Sequence, residues 1–263
     1  MRSKTTAAVL FAAATLLSLT PSAFAQRPTS GFDRLFLSFI EDATLPESQW
    51  WEGQIEFQDG DGFDATIARG IFAIEWRDRV EFGTRIGFGD TDVDNANVDD
   101  GSGATDWEIW GKYYLGSQGG VNEFAVGAIF TIPTGDDSAG LGTDAFAANI
   151  FGAYRRRLEN LIITGNIGLR LQDDGEIFGQ DVDGEVAPII AGGVIVPITD
   201  RIGFVGEARI EGERFDGADE DIRILGGANI RISSQGQLRP AIALGLTDGA
   251  PDLQVLGSYA HQF

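Results

Sequence analysis

From Trp50 onward, apolar and polar residues alternate with a period of two, the signature of strands with two unlike faces. Between 220 and 233, Ile222, Ile224, Gly226, Ala228, Ile230 and Ile232 alternate with Arg223, Asn229 and Arg231. Between 201 and 213, Ile202, Phe204, Ala208 and Ile210 oppose Glu207, Arg209, Glu211 and Glu213, and between 79 and 89, Val80, Phe82, Ile86 and Phe88 oppose Arg79, Glu81 and Arg85. Successive side chains of a strand point to opposite sides, so each segment carries one apolar face and one charged face. Twelve segments follow the pattern: 50–58, 65–76, 79–89, 105–115, 121–132, 143–155, 160–171, 185–198, 201–213, 220–233, 236–247 and 251–263. Each is about as long as a tilted strand must be to cross a bilayer. The eighth, 185–198, departs from the rule by being apolar on both faces.

The connections have their own rhythm. After even-numbered strands they are short, as at Arg77-Asp78, Thr199-Asp200 and Ser234-Gln235, and most of those after odd-numbered strands are longer and rich in Asp and Gly. Outer-membrane barrels show this asymmetry, with short periplasmic turns and longer outer loops. The last strand places Leu253, Val255, Gly257, Tyr259, His261 and Phe263 on one face and stops on the aromatic Phe263. Closing such a strand against the first leaves no free edge. The expected fold is therefore an all-β, antiparallel up-and-down transmembrane barrel of about twelve strands. The apolar set should face lipid and the charged set the lumen. Trp51, Trp76, Tyr113, Tyr259 and Phe263 then fall near the periplasmic ends as an aromatic girdle. Outer-membrane lipid and, through the strand ending in Phe263, the barrel-assembly machinery are the expected partners.

Residues before Trp50 follow other rules. Arg2 and Lys4, an apolar core over 7–19 and Ala23-Phe24-Ala25 before Gln26 read as a secretory signal cleaved near Ala25. Within 30–43, Phe32, Leu35, Phe36, Phe39 and Ile40 lie at helical spacing, with Ser30 and Asp33 placed as a cap and Pro46 beyond the end. A short amphipathic helix on the periplasmic side is expected, with an extra edge strand as the alternative. The division is 1–25 signal peptide, 26–48 periplasmic segment and 49–263 barrel.

Composition narrows the function. A net charge of -21 speaks against non-specific nucleic-acid binding, and the absence of cysteine removes disulfides and thiolate metal sites. The single histidine, His261, is predicted to face outward near the rim, away from any triad partner. Histidine-dependent hydrolysis therefore lacks its base. No catalytic residue, cofactor or metal site is assigned. The acidic stretches with Asp59, Asp61 and Asp64, and with Asp90, Asp92, Asp94, Asp99 and Asp100, complete no EF-hand pattern and read as solvated loops. Arg155, Arg156 and Arg157 read as a turn whose side chains reach lipid headgroups. Glu81, Arg85, Arg170, Glu207, Arg209, Glu211, Arg223, Arg231 and Arg239 are the candidates for lumen or constriction residues. They would either neutralise one another across strands or select what passes.

The stretch 127–154 contains Pro133, Thr134, Gly135 and Asp136, then Gly140, Leu141, Gly142 and Thr143. A strand running into a Pro-Thr-Gly-Asp turn, a Gly-rich loop and another strand resembles an outer-membrane family named after the meta-cleavage pathway of phenol degradation and labelled as transporters. That resemblance implies a barrel moving small hydrophobic or aromatic compounds, and it brings no catalytic residues. The expected function is a passive channel or transporter for small molecules. The rivals are a structural barrel plugged by lumen salt bridges and, behind it, a barrel hydrolase.

Overall fold

A computed structural model of the chain describes residues 33–44, 49–60, 62–93, 100–116 and 120–263. The strands are β1 (Trp50–Gly60), β2 (Phe63–Trp76), β3 (Val80–Val93), β4 (Gly101–Ala104), β5 (Trp107–Tyr114), β6 (Asn122–Ile132), β7 (Ala147–Arg157), β8 (Ile162–Gln172), β9 (Gly175–Ile177), β10 (Gln180–Val182), β11 (Val186–Pro197), β12 (Ile202–Glu211), β13 (Asp221–Arg231), β14 (Gly236–Gly245) and β15 (Leu253–Gln262). β4 and β5 both pair with β3 and form one stave interrupted at Thr105 and Asp106. β9 and β10 make a separate hairpin within a loop. The other strands pair antiparallel with their sequence neighbours, and β15 pairs with β1 from Trp50↔Gln262 to Asp59↔Leu253. The ring is a closed twelve-stave barrel.

Alternation sets the two surfaces. Phe57, Phe82, Phe88, Phe130, Ile150, Ile167, Leu169, Phe204, Ile242 and Val255 all point outward and exposed. In water a continuous apolar belt of this kind would cost about 25 cal/mol per Å². In hydrocarbon that cost disappears, and a closed ring of paired strands presents no free edge to lipid. The short-turn end opens with a tight hairpin at Arg77 and Asp78, both at positive φ (56° and 59°), as a type I′ turn requires.

Residues 33–44 overturn one expectation. They form turns and bends rather than a helix, and they lie inside the barrel (residues 30–32 fall outside the described residues). Their apolar side chains divide between two clusters. Leu35 and Phe36 pack with Ile162, Ile195, Val205, Leu225 and Leu256, whereas Phe39, Ile40 and Ala43 pack with Trp50, Ile71, Trp110, Ile129 and Phe151. A helix would place all of them on one stripe. The segment instead presents opposite sides to opposite walls. Its backbone polar groups are met by wall side chains, which removes the need for a helical ladder. Glu207 accepts from the Phe36 and Leu37 amides (2.8 and 3.0 Å), Lys112 Nζ donates to the Asp42 carbonyl (3.1 Å), and Arg239 Nη2 donates to the Leu35 carbonyl (2.6 Å). The doubly apolar strand β11 is explained by the same packing. Ala187, Ile189, Ala191 and Ile195 are buried on its inward face, and at Gly193 a Cβ would come within 2.6 Å of Leu35 Cδ2.

Candidate functional site

Inward-facing charges form two tiers. Nearer the short turns, they hold the internal segment. Glu81 accepts from Trp110 Nε1 (2.8 Å) and pairs with Arg34 (3.1 Å) and Lys112 (3.3 Å). Asp42 pairs with Arg155 (2.7 Å) and accepts from Thr164 Oγ1 (3.1 Å), while Arg155 also donates to the Asp33 carbonyl (2.6 Å). Arg239 pairs with Glu52 (2.7 Å) and lies over the Phe36 ring. Charges buried this deeply are tolerable only because each is paired and hydrogen-bonded.

Toward the long loops, a cavity of about 520 Å³ opens above the segment. Phe36, Leu37, Phe39, Ile40 and Glu41 contribute to its lining, as do Arg69, Arg85, Arg170, Arg209, Arg214 and Arg223. Five of these arginines have acidic partners: Arg69 with Glu56, Arg85 with Glu108, Arg170 with Glu211, Arg209 with Glu41 and Glu211, and Arg223 with Asp221. A second cavity, about 360 Å³, lies at the short-turn end and is lined in part by Asp33, Arg157 and Arg231. The two share no lining residue, and residues 33–44 contribute to both.

The Pro-Thr-Gly-Asp stretch folds over the mouth of the larger cavity. Asp106, at the break in the fourth stave, accepts from the amides of Thr134 (3.2 Å), Gly135 (2.9 Å) and Thr143 (3.1 Å), tying both ends of the loop together. Pro133 opens that turn. Asp136 accepts from Ser138 Oγ (2.7 Å) and the Ala139 amide (3.2 Å), and these bonds hold its carboxyl below the usual carboxylate range. Ala139 and Leu141 pack on Ala65 and Ile67 of the wall. Gly140 has φ +67°, and a Cβ there would lie 2.1 Å from Phe178 Cζ. With Gly142 and Thr143, it lines the cavity.

All nine candidate lumen residues lie on the inward face, but in separate places. Glu81, Glu207 and Arg239 contact the internal segment, and Arg209 reaches it through Glu41. Arg85, Arg170, Arg209, Glu211 and Arg223 line the larger cavity, and Arg231 lines the smaller. Glu213 falls beyond β12 in an exposed loop. The arginine run also needs correction. β7 continues through Arg157, so Arg155 points inward and is fully buried, Arg157 pairs with Glu123 (3.2 Å), and only Arg156 remains exposed. Sequence reasoning missed Glu56, Arg69, Glu108, Lys112 and Arg214. The alternation of β1, β2 and β5 could have located the first four, since each sits among inward-facing positions. At the short-turn end Trp51, Trp76, Tyr113 and Phe263 are exposed, and Trp51 meets Tyr259 edge-on at 5.5 Å. His261 stands among Trp51, Tyr259 and Phe263, with Nδ1 3.2 Å from the Tyr259 hydroxyl.

No protein-family model matches the chain, and no curated protein matches it. Solved structures do. An outer membrane channel from Pseudomonas putida F1 superimposes with a TM-score of 0.69 at 15% identity, over 84% of this chain and 97% of that one. The KdgM porin, solved in complex with disordered oligogalacturonate, gives 0.57 at 8% identity over 81% and 99%. The NanC porin gives 0.57 at 8% identity over 81% and 100%. The chain thus has the fold shared by bacterial outer-membrane channels and porins.

Proposed function

We propose that this protein is a passive outer-membrane channel for small molecules, oriented with its short turns in the periplasm. The observation that carries the reading is the charged cavity of about 520 Å³ inside a closed, lipid-compatible barrel. Five of the six arginines lining that space are ion-paired to the wall or the internal segment, and the sixth, Arg214, has no ion pair among the described residues, which structural neutralisation alone does not require. The likeness to channels and porins supports the same reading, as does the predicted signal sequence, which would deliver the chain to the outer membrane. The Pro133–Asp136 turn and the glycines after it resemble the phenol meta-pathway family and favour hydrophobic or aromatic solutes. Nothing in this reading requires catalysis, and the one histidine faces away from the lumen.

Residues 33–44 favour a second reading, a barrel permanently plugged by its own chain. Planar-bilayer recordings of the mature protein and of a form lacking 26–44 decide between them. The channel reading expects discrete conductance steps or passage of a small aromatic solute in the intact protein, with larger steps after deletion. An intact protein closed to both, beside a conducting deletion, establishes the permanent plug. A barrel sealed in both forms sinks the channel.

A further inference from the structure

We infer that the larger cavity binds a small monocarboxylate with an apolar body, and that Arg214 is the residue that holds its carboxylate. This rests on the reading of the lumen as a solute path and names the solute class. Arg214 lies in the loop between β12 and β13, and its backbone is pinned there. Its carbonyl accepts from the Glu185 amide (2.9 Å), and its neighbour Phe215 bridges to Gly184. The side chain is partly buried and lines the cavity beside Arg170 and Arg223. Unlike the other five arginines of that cavity, its guanidinium has no ion pair or hydrogen bond among the described residues.

The ion pairs leave one arginine over. Arg170, Arg209 and Arg223 are matched by Glu41, Glu211 and Asp221, and Arg69 and Arg85 by Glu56 and Glu108, so that Arg214 alone lacks a carboxylate in ion-pair contact among the described residues, while Asp106 and Asp248 stand elsewhere on the lining. Burial, reinforced by the like charges of Arg170 and Arg223, pulls the Arg214 guanidinium below its ordinary pKa in spite of Glu211 and Asp221. An anion seated against it would relieve that penalty, and a planar carboxylate matches the guanidinium fork with two parallel hydrogen bonds. A divalent anion fits less well, because only one guanidinium of the lining is without an ion pair among the described residues and carboxylates surround it. The rest of the lining specifies the body of the ligand. Phe36, Phe39, Phe178 and Phe215 present rings to the same space, and its volume lies within the range of small-molecule sites. The long acidic loops would repel an anion at distance, but at physiological salt their field decays over about 8 Å.

Benzoate and benzyl alcohol, alike in ring and size but differing in charge, provide the test. Binding of each to the purified protein in detergent is measured by titration calorimetry, for wild type, Arg214→Gln, Arg214→Lys and the outward-facing control Arg156→Gln. Folding of each variant is verified by its heat-modifiable gel mobility. Benzoate should bind more tightly than benzyl alcohol. R214Q should weaken benzoate by roughly tenfold or more, as loss of a charged hydrogen bond predicts, with R214K intermediate and R156Q unchanged. Equal binding of the two probes, or benzoate affinity indifferent to R214Q and R214K, overturns the assignment. Calorimetry needs no membrane, so a silent barrel that prefers benzoate sinks only the channel reading, and a conducting barrel without that preference sinks only this one.

Discussion

Arg155 Nη1 lies 2.7 Å from Asp42 Oδ2, and neither side chain is accessible to solvent. The pair joins wall strand β7 to the internal segment, so it reports on how firmly that segment is seated. Among the described residues, Arg155→Gln leaves Asp42 buried with the Thr164 hydroxyl as its one side-chain donor. Asp42→Asn is milder, because Arg155 keeps Glu123 at 3.6 Å and the Asp33 carbonyl. Removing one partner of a buried pair costs about 3–5 kcal/mol. The cheapest relief is release of the segment, since the barrel's backbone ladder does not depend on it. R155Q should therefore raise single-channel conductance more than D42N, and the double variant should fall short of the sum. Unchanged conductance in R155Q would show that the pair does not hold the segment.

Glu81 takes two cations and an indole N–H together, from Arg34, Lys112 and Trp110. Glu81→Gln removes the carboxylate shared by two cations in an enclosed site, and about 3–5 kcal/mol of stability should be lost. Lys112→Met in the E81Q background removes one of them and should recover part of that loss. Urea-dependent loss of the heat-modifiable form measures both steps. A double variant no more stable than E81Q would contradict the argument.

The barrel was legible because each strand declares itself twice, through an apolar outward set and a polar inward set, as Ile222/Arg223 and Phe204/Glu207 do. The contents of the lumen were not. Leu35, Phe36, Phe39 and Ile40 have helical spacing, but that spacing equally suits an irregular chain flanked by apolar walls on both sides. A signal was present on the walls. Ile71, Trp110, Ile129, Ile195, Val205 and Leu225 point inward, where a water-filled pore would carry polar residues, and they do so because they pack the segment. The inward direction of Arg155 was missed for a smaller reason, since its strand runs two residues further than the pattern suggested. Arg214 had no periodic signal, because it lies in a loop and owes its position to the Gly184–Phe215 bridge.

Gly140 and Phe178 set the fit of the mouth loop. Gly140→Ala adds a methyl 2.1 Å from the Phe178 ring at a φ of +67°, so both sterics and backbone oppose it. The loop over 133–146 should lift and become sensitive to added protease while the strands stay protected. Phe178→Ala in the same chain removes the clash but not the backbone strain, so protection should return only in part. Full protection in G140A alone would refute this packing.

Asp136 gives that loop a pH dependence. Its carboxyl is held below the usual value of 3.8 by Ser138 and the Ala139 amide, so its contribution is complete above that value and is lost as pH falls through the lowered one. Loop protection should be constant from neutral pH down to the ordinary carboxylate range and decline only in stronger acid. Asp136→Asn should be looser than wild type at neutral pH and should lose that acid transition. A wild-type loop that opens between neutrality and mild acid would assign the control to another group.

Ile167, 67% exposed near the middle of β8, tests whether the apolar belt meets lipid. Its partners Gly152 and Ile190 also lie on the outward face, so the site has no internal charge to receive a guanidinium. Ile167→Arg should cost about 2–4 kcal/mol in folding into phospholipid vesicles, the penalty for a cation near the bilayer midplane. Ile163→Arg, on the same face but one residue from the short-turn end of β8, should cost only about 0–1 kcal/mol, because its head can reach the interface. Propensity and packing differ little between two outward isoleucines on one strand, so the gap between the variants isolates depth. Equal penalties would mean that β8 does not run across a hydrocarbon layer. The outward belt would then need another partner to cover it.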